Sequence, residues 1–226
     1  MSKWLALNLL VLTFLTCQKP NTLKVACLGD SITQGARVDS LYSYPNQLQS
    51  VLSKNYIVRN FGVSSNMLLR KGVPTIWSQV EEIVKFEPHI IVISLGTNDT
   101  CGDGQCGTRK GWEFRDEFAT DYKMLIDTLR KISTSPEIYI CTPTPMVTET
   151  EGLDQDRAHG LSIRKPRLKF YIDIIFSVAK DKNVQLIDLH SSLANKPELF
   201  TIGDGVHPNS EGYLNIAQLI ANEIKK

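Results

Sequence analysis

The sequence predicts an α/β fold, a three-layer α/β/α sandwich built on a five-stranded parallel sheet. Three observations carry this expectation. Five short apolar runs alternate with five longer stretches of helical periodicity. One run, Ile90-Ile91-Val92-Ile93, is continuously β-branched, as expected of a strand covered on both faces. Strands that each lead into a helix imply right-handed crossovers and parallel neighbours.

The elements follow in order. Leu23-Lys24-Val25-Ala26-Cys27-Leu28 forms the first strand and runs directly into Gly29-Asp30-Ser31-Ile32-Thr33. Further strands are expected over residues 56–61, 90–95, 137–141 and 184–189. Helices are expected over 45–52, 74–86, 117–132, 167–180 and 210–224. In the last, Tyr213, Ile216, Ala217, Ile220 and Ile224 share one face, and Asn209 or Ser210 can cap its start. Two longer loops, over 97–115 and 143–163, leave the carboxyl edge of the sheet. Loops of that length are often functional and are expected to wall a pocket. Ligands of such sheets bind beyond the carboxyl ends of the strands. Gly29-Asp30-Ser31, Asn60-Phe61-Gly62, Gly96-Thr97-Asn98-Asp99 and the Asp204–His207 segment all fall on that edge.

The chain has 226 residues, a hydrophobic share of 42% and a charged share of 22%, which suits one domain with a full core. Its net charge is +1. No basic field points to nucleic acid, and no acidic block points to a disordered tail. Residues 1–16 read as a signal peptide: Lys3 precedes an apolar run, 4–15, that is too short to span a membrane. Phe14-Leu15-Thr16-Cys17 resembles a bacterial lipoprotein processing site, with Cys17 the lipidated residue and 17–22 a tether. Phe14 and Thr16 depart from the usual residues there, and a conventional cleavage with Cys17 incidental is the alternative. The folded domain is then 23–226. The expected location is the cell envelope, lipid-anchored or periplasmic, with membrane contact only through the lipid.

Cys27 and Cys141 sit in strand patterns and read as buried thiols. Cys101 and Cys106 flank Gly-Asp-Gly-Gln and could close a small disulfide loop in an oxidising compartment. Gly102-Asp103-Gly104-Gln105-Cys106-Gly107 matches a phosphate-loop pattern, but it starts past its strand and opens into no helix, so no dinucleotide site is expected. The carboxylates Asp99, Asp103, Glu149, Glu151, Asp154 and Asp156 form no metal-loop pattern and read as solvated charge. No cofactor and no metal are implied.

The chemistry lies at the two ends of the chain. Ser31 alone would read as a helix cap. Gly29 before it permits an unusual backbone angle, and a serine at a helix start aims its N–H at a developing anion. Of four histidines, His207 has Asp204 three residues before it and Pro208 after it, which biases His207 to an extended backbone. Asp204 can then hold one ring nitrogen and leave the other for Ser31. His89 enters a strand at the wrong edge, His159 lies in a polar loop, and His190 lacks a carboxylate in that geometry.

The blocks Gly29-Asp30-Ser31-Ile32-Thr33, Asn60-Phe61-Gly62-Val63-Ser64, Gly96-Thr97-Asn98-Asp99 and Asp204-Gly205-Val206-His207-Pro208-Asn209 resemble, in order, the four blocks of the SGNH (GDSL) hydrolase superfamily. The resemblance spans nearly the whole chain beyond the leader and implies a flavodoxin-like sheet. It also implies Ser31 as nucleophile, His207 as base and Asp204 as its orienter. The Ser31 N–H, the Gly62 N–H and the Asn98 amide would form the oxyanion hole. One departure is Ser65, where the second block often carries another glycine. Asp30 and Asp99, within the blocks, and Arg109 and Trp112, in the long loop, are expected at the substrate.

Further stretches, Ser43-Tyr44-Pro45-Asn46-Gln47-Leu48 and Ile138-Tyr139-Ile140-Cys141-Thr142-Pro143 among them, resemble sialate-O-acetylesterase-type carbohydrate esterases. The resemblance implies an ester hydrolase that removes O-acetyl groups from carbohydrates through an acyl-enzyme, acting on a small-molecule or glycan ester. A lysophospholipase or thioesterase is one alternative and would need an apolar acyl groove. A non-catalytic glycan-binding lipoprotein is another.

Overall fold

The computed structural model describes residues 22–225. The expected signal peptide, Cys17 and most of the tether therefore lie outside the described residues. Five strands form the sheet: β1 (Leu23–Gly29), β2 (Tyr56–Gly62), β3 (Ile90–Ser94), β4 (Glu137–Cys141) and β5 (Gln185–Ile187). They lie in the order β2-β1-β3-β4-β5, and every pairing is parallel. This is the doubly wound architecture that the alternating pattern implied.

The period of two in the strands divides the core into two layers. Val25 and Cys27 of β1, Ile90 and Val92 of β3 and Tyr139 and Cys141 of β4 face α2 (Tyr44–Val51) and α7 (Ser210–Ile224). Ala26, Leu28, Ile91, Ile93, Ile138 and Ile140 face α3 (Val80–Phe86), α4 (Phe118–Leu129) and α5 (Gln155–Lys182). All five residues of β3 are buried, as its β-branched run requires. α7 begins at Ser210, where Asn209 accepts the Gly212 N–H at 3.0 Å.

Two elements depart from expectation. α5 begins at Gln155, not at 167, and runs for 28 residues with Pro166 inside it. The Asp154 side chain caps it by accepting the Arg157 N–H at 2.7 Å. Pro166 removes one helix hydrogen bond, but the first turns are held by tertiary contacts, with Leu161 and Leu168 buried against Met146 and Val206. The second long loop therefore ends at Asp154. β5 stops at Ile187, because Asp188 caps a short helix, α6 (Leu189–Leu193), through the Ser191 N–H at 3.0 Å. Among the described residues no helix is long and apolar enough to cross a membrane.

Candidate active site

β1 delivers Ser31 to the carboxyl edge of the sheet. Asp30 caps the short helix α1 (Ser31–Gln34) by accepting the Ile32 N–H at 2.9 Å. Gly29 is required for space. A Cβ there would lie 2.6 Å from the Ser94 carbonyl oxygen and 2.0 Å from Thr33 Oγ1. Its role is thus close approach; it is absent from the residues with positive φ, which corrects the expectation of an unusual backbone angle.

The chain's two ends meet at this point. The Ser31 hydroxyl lies 2.9 Å from His207 Nε2, and His207 Nδ1 lies 2.9 Å from Asp204 Oδ1. Asp204 Oδ1 also accepts the backbone N–H groups of Val206 and His207, at 3.0 and 2.9 Å. Two guanidinium groups complete its shell. Arg37 Nε donates to Oδ2 at 2.9 Å, and Arg157 reaches Oδ1 at 3.4 Å while its Nε donates to the Asp204 carbonyl at 2.9 Å. Burial pushes the Asp204 carboxyl up, but the hydrogen bond and charge of His207 and the two N–H groups overcome it. The group is held well below the usual carboxylate range. Asp204 therefore stays ionised and fixes the ring so that Nε2 faces Ser31.

Asn98 lines the same cleft. Its Oδ1 accepts from Arg109 Nη1 at 2.6 Å, and its Nδ2 donates to the Asn66 carbonyl at 3.0 Å. The second Nδ2 proton has only a long 3.4 Å contact to Asp30 Oδ2, which leaves it available to an oxyanion. Gly62 does not take the expected role. Its N–H donates to Asn60 Oδ1 at 2.8 Å, it is not among the residues lining the cleft, and a Cβ on it would lie 2.1 Å from the Gln34 backbone nitrogen. Gly62 is a close-packing residue beneath the nucleophile helix.

The residue of this loop that offers an unpaired N–H at the cleft is instead Ser65. It lines the cleft, has φ of 67° and, like Ser31, has no hydrogen-bond partner for its N–H among the described residues. A serine in the left-handed region carries a backbone cost that a glycine would avoid. The signal in the sequence was the glycine expected where Ser65 stands.

Of the expected substrate residues, only Arg109 lines the cleft. Asp30 is 1% exposed and holds the nucleophile turn from below. Burial, partly offset by the Ile32 N–H and the His207 charge, pushes its carboxyl up to about 6. Asp99 is fully buried and accepts the Leu68 and Leu69 N–H groups, at 3.0 Å each, tying the β2 loop to the β3 loop. Burial pushes Asp99 up to about 7. Trp112 packs edge-on against Phe170 and Tyr171 and lies against the Arg115 and Arg167 guanidinium groups. Asp30 and Asp99 are consumed by the fold, and Trp112 is partly buried in packing away from the cleft.

Sequence reasoning missed Arg37, Arg157 and Arg164, all lining the cleft. Arg157 lies in the part of α5 read as loop and Arg164 just before the helix read from 167; Asp154, placed three residues before Arg157 as a cap, was the signal available. Nothing near Arg37 marks it. Cys101 and Cys106 are joined, with Cα atoms 5.6 Å apart, and Arg109 Nε donates to the Cys106 carbonyl at 3.1 Å. The disulfide loop thus braces the arginine that sets Asn98. Cys27 and Cys141 are buried free thiols, as expected, and burial pushes Cys27 up to about 12. No cluster of metal-ligating side chains occurs among the described residues.

A doubly wound parallel sheet with a Ser–His–Asp constellation and an amide donor at its carboxyl edge defines a class of α/β domain arranged for acyl transfer. Residues 27–214 match the GDSL-like Lipase/Acylhydrolase family, and the chain belongs to that family. It is 32% identical to an acetylxylan esterase of Xylanibacter ruminicola, across 92% of this chain and 44% of that protein. The chain spans less than half the length of the curated relatives it matches. The acetyl xylan esterase AlAXEase shares the fold, with a TM-score of 0.68 at 24% identity over 89% of this chain and all of that one. So does Est24, a carbohydrate acetylesterase from Sinorhizobium meliloti, with a TM-score of 0.70 at 16% identity over 90% of this chain and 99% of that one.

Proposed function

We propose that this protein is a serine ester hydrolase that removes O-acetyl groups from carbohydrates. The observation that carries the reading is the continuous Ser31–His207–Asp204 chain of 2.9 Å contacts. His207 Nε2 takes the hydroxyl proton as Ser31 Oγ attacks the acetyl carbonyl. The tetrahedral oxyanion is met by the N–H groups of Ser31 and Ser65 and by Asn98 Nδ2. His207 then protonates the leaving sugar oxygen. Water, deprotonated by the same ring, attacks the acyl-enzyme and releases acetate, returning the proton to Ser31.

The similarity to an acetylxylan esterase supports the carbohydrate side of the reading. So does the cleft itself, about 320 Å³ and walled by Arg, Ser, Thr and Asn side chains with only Ala36 and Val206 apolar. A larger cavity of about 490 Å³, lined by Pro145, Met146, Val147 and Leu168 together with Glu149, Lys165, Lys169 and His190, shares no lining residue with this cleft. It gives no acyl groove at Ser31, which weighs against a lipid substrate. The apolar leader ending at Cys17 supports export and a lipid anchor in the cell envelope.

The test is acetate release from acetylated xylo-oligosaccharides, with p-nitrophenyl acetate and a long-chain p-nitrophenyl ester in parallel. Acetyl esters should be cleaved in preference, and Ser31→Ala should lower turnover by about 10⁴-fold or more while the fold survives. Retained activity in purified Ser31→Ala protein would sink the assignment.

A further inference from the structure

Four arginines line the catalytic cleft, Arg37, Arg109, Arg157 and Arg164, and no carboxylate does. Arg37 and Arg157 are answered by Asp204, which lies behind them and already serves His207. The other two have no carboxylate partner among the described residues. Arg109 donates only to the Cys106 carbonyl and Asn98 Oδ1. Arg164, 5% exposed, donates from Nε to Thr100 Oγ1 and from Nη2 to the Thr97 carbonyl, both at 2.8 Å.

A buried guanidinium held by neutral oxygens alone keeps most of its desolvation cost. Burial, with the charges of Arg157 and Arg109, lowers Arg164 to about 9. The nearest acid, Asp30, offsets this only in part, being itself raised by burial. Arg167, itself paired with Asp103 at 2.6 Å, adds a further like charge that lowers Arg164. Among the described residues, guanidinium nitrogens without a hydrogen bond remain on all four: both Nη of Arg37, Nη2 of Arg109, Nη1 of Arg157 and Nη1 of Arg164. Charged N–H donors on neighbouring guanidinium groups match an anionic carboxylate better than they match a neutral sugar hydroxyl.

We propose, resting on the esterase reading, that the preferred substrate is an acetylated acidic sugar whose carboxylate docks on Arg109 and Arg164 beside the scissile ester. The sugar is then a uronate or a similar carboxylate-bearing residue of a glycan. A neutral acetylated sugar would leave the two guanidinium groups desolvated without compensation, and would bind more weakly.

The experiment compares kcat and KM for an acetylated methyl glucuronoside and an acetylated methyl xyloside, at low and high salt, with p-nitrophenyl acetate as the uncharged reference. The acidic ester should be favoured about tenfold or more in kcat/KM, through KM, and the advantage should shrink as salt rises. Free glucuronate should inhibit p-nitrophenyl acetate turnover competitively and more strongly than free xylose or inorganic sulfate. In Arg109→Met the loss of the Asn98 clamp lowers kcat for both sugars alike, so the acidic-to-neutral ratio of kcat/KM is the readout, and it should fall about tenfold. Equal kcat/KM for the two sugars, stronger inhibition by sulfate, or an unchanged ratio in Arg109→Met would overturn the proposal. The last result would make the arginines stabilisers of the oxyanion alone. Turnover of p-nitrophenyl acetate with no acidic preference refutes this inference and leaves the esterase reading standing; no turnover of any ester refutes that reading as well. Glucuronate binding to Ser31→Ala, measured by calorimetry, decides the docking claim even then.

Discussion

The two walls of the cleft are held by different means. On the triad wall, Asp204 and His207 stand three residues apart in one turn, and Asp204 gathers the Val206 and His207 N–H groups together with the ring. On the loop wall, Asn98 is set by Arg109 and by the Asn66 carbonyl, 11 and 32 residues away in the chain. Arg109 in turn leans on the Cys101–Cys106 loop, and Asp99 pins the loop that carries Ser65. The base and its orienter are therefore built within one turn, which Arg37 and Arg157 brace from elsewhere in the chain. The groups proposed to bind the oxyanion and select the substrate sit largely on two loops packed across the sheet edge, and perturbations at a distance should reach them first.

Breaking the loop wall at its centre should have the largest effect. Asn98→Ala should lower kcat by about 10²–10³, or ~3–4 kcal/mol, with the triad intact. Covalent labelling of Ser31 by a serine-directed phosphonate should therefore persist, and its loss would erase the distinction between the walls. Second in size is the disulfide: Cys101→Ser combined with Cys106→Ser should cost about 2 kcal/mol of unfolding free energy, read by denaturant titration, with a smaller fall in kcat than Asn98→Ala. A fall as large as that of Asn98→Ala would show that the loop itself, not only Arg109, reaches the oxyanion.

A pH slope comes next. The Asp99 carboxyl is raised by burial to about 7, so the folded state binds its proton more tightly than the unfolded chain. Between the ordinary carboxylate value near pH 4 and about pH 7, stability from this group falls as pH rises, by up to about 1.4 kcal/mol per pH unit. Asp99→Asn should flatten that slope in chemical denaturation; an unchanged slope would mean that Asp99 is ionised in the fold. The smallest effect is expected from Ser65→Gly. Relief of the left-handed backbone, offset by added chain entropy, should change stability by less than about 1 kcal/mol, with kcat within about twofold. A large loss of kcat would show that the Ser65 side chain, and not its N–H, matters.

The triad wall was legible in the sequence because its parts are short and contiguous. Gly29-Asp30-Ser31 ends a strand, and the Asp204–His207 spacing is a turn. The parallel sheet was legible because β1, β3 and β4 bury both faces and so read as apolar runs. The loop wall was only partly legible. Gly62 stood out because glycine is distinctive, yet its hydrogen atom serves packing against Gln34, while the unpaired N–H at the cleft belongs to Ser65. Arg157 and Arg164 were hidden because Pro166 reads as a helix boundary, whereas tertiary contacts carry α5 through it. Trp112 and Asp99 carry chemically suggestive side chains, and only the packing shows that Asp99 is spent in the interior and that Trp112 stacks away from the cleft.

α5 has a consequence for how the site tolerates motion. From one helix, Arg157 grips Asp204 on the triad wall, Arg164 grips Thr97 and Thr100 beside Asn98, and Leu161 packs with Val206. A displacement of that helix carries the base and the amide donor in the same direction. To the reacting carbon it is a common-mode signal, and it cancels in the separation between base and oxyanion donor on which the chemistry depends.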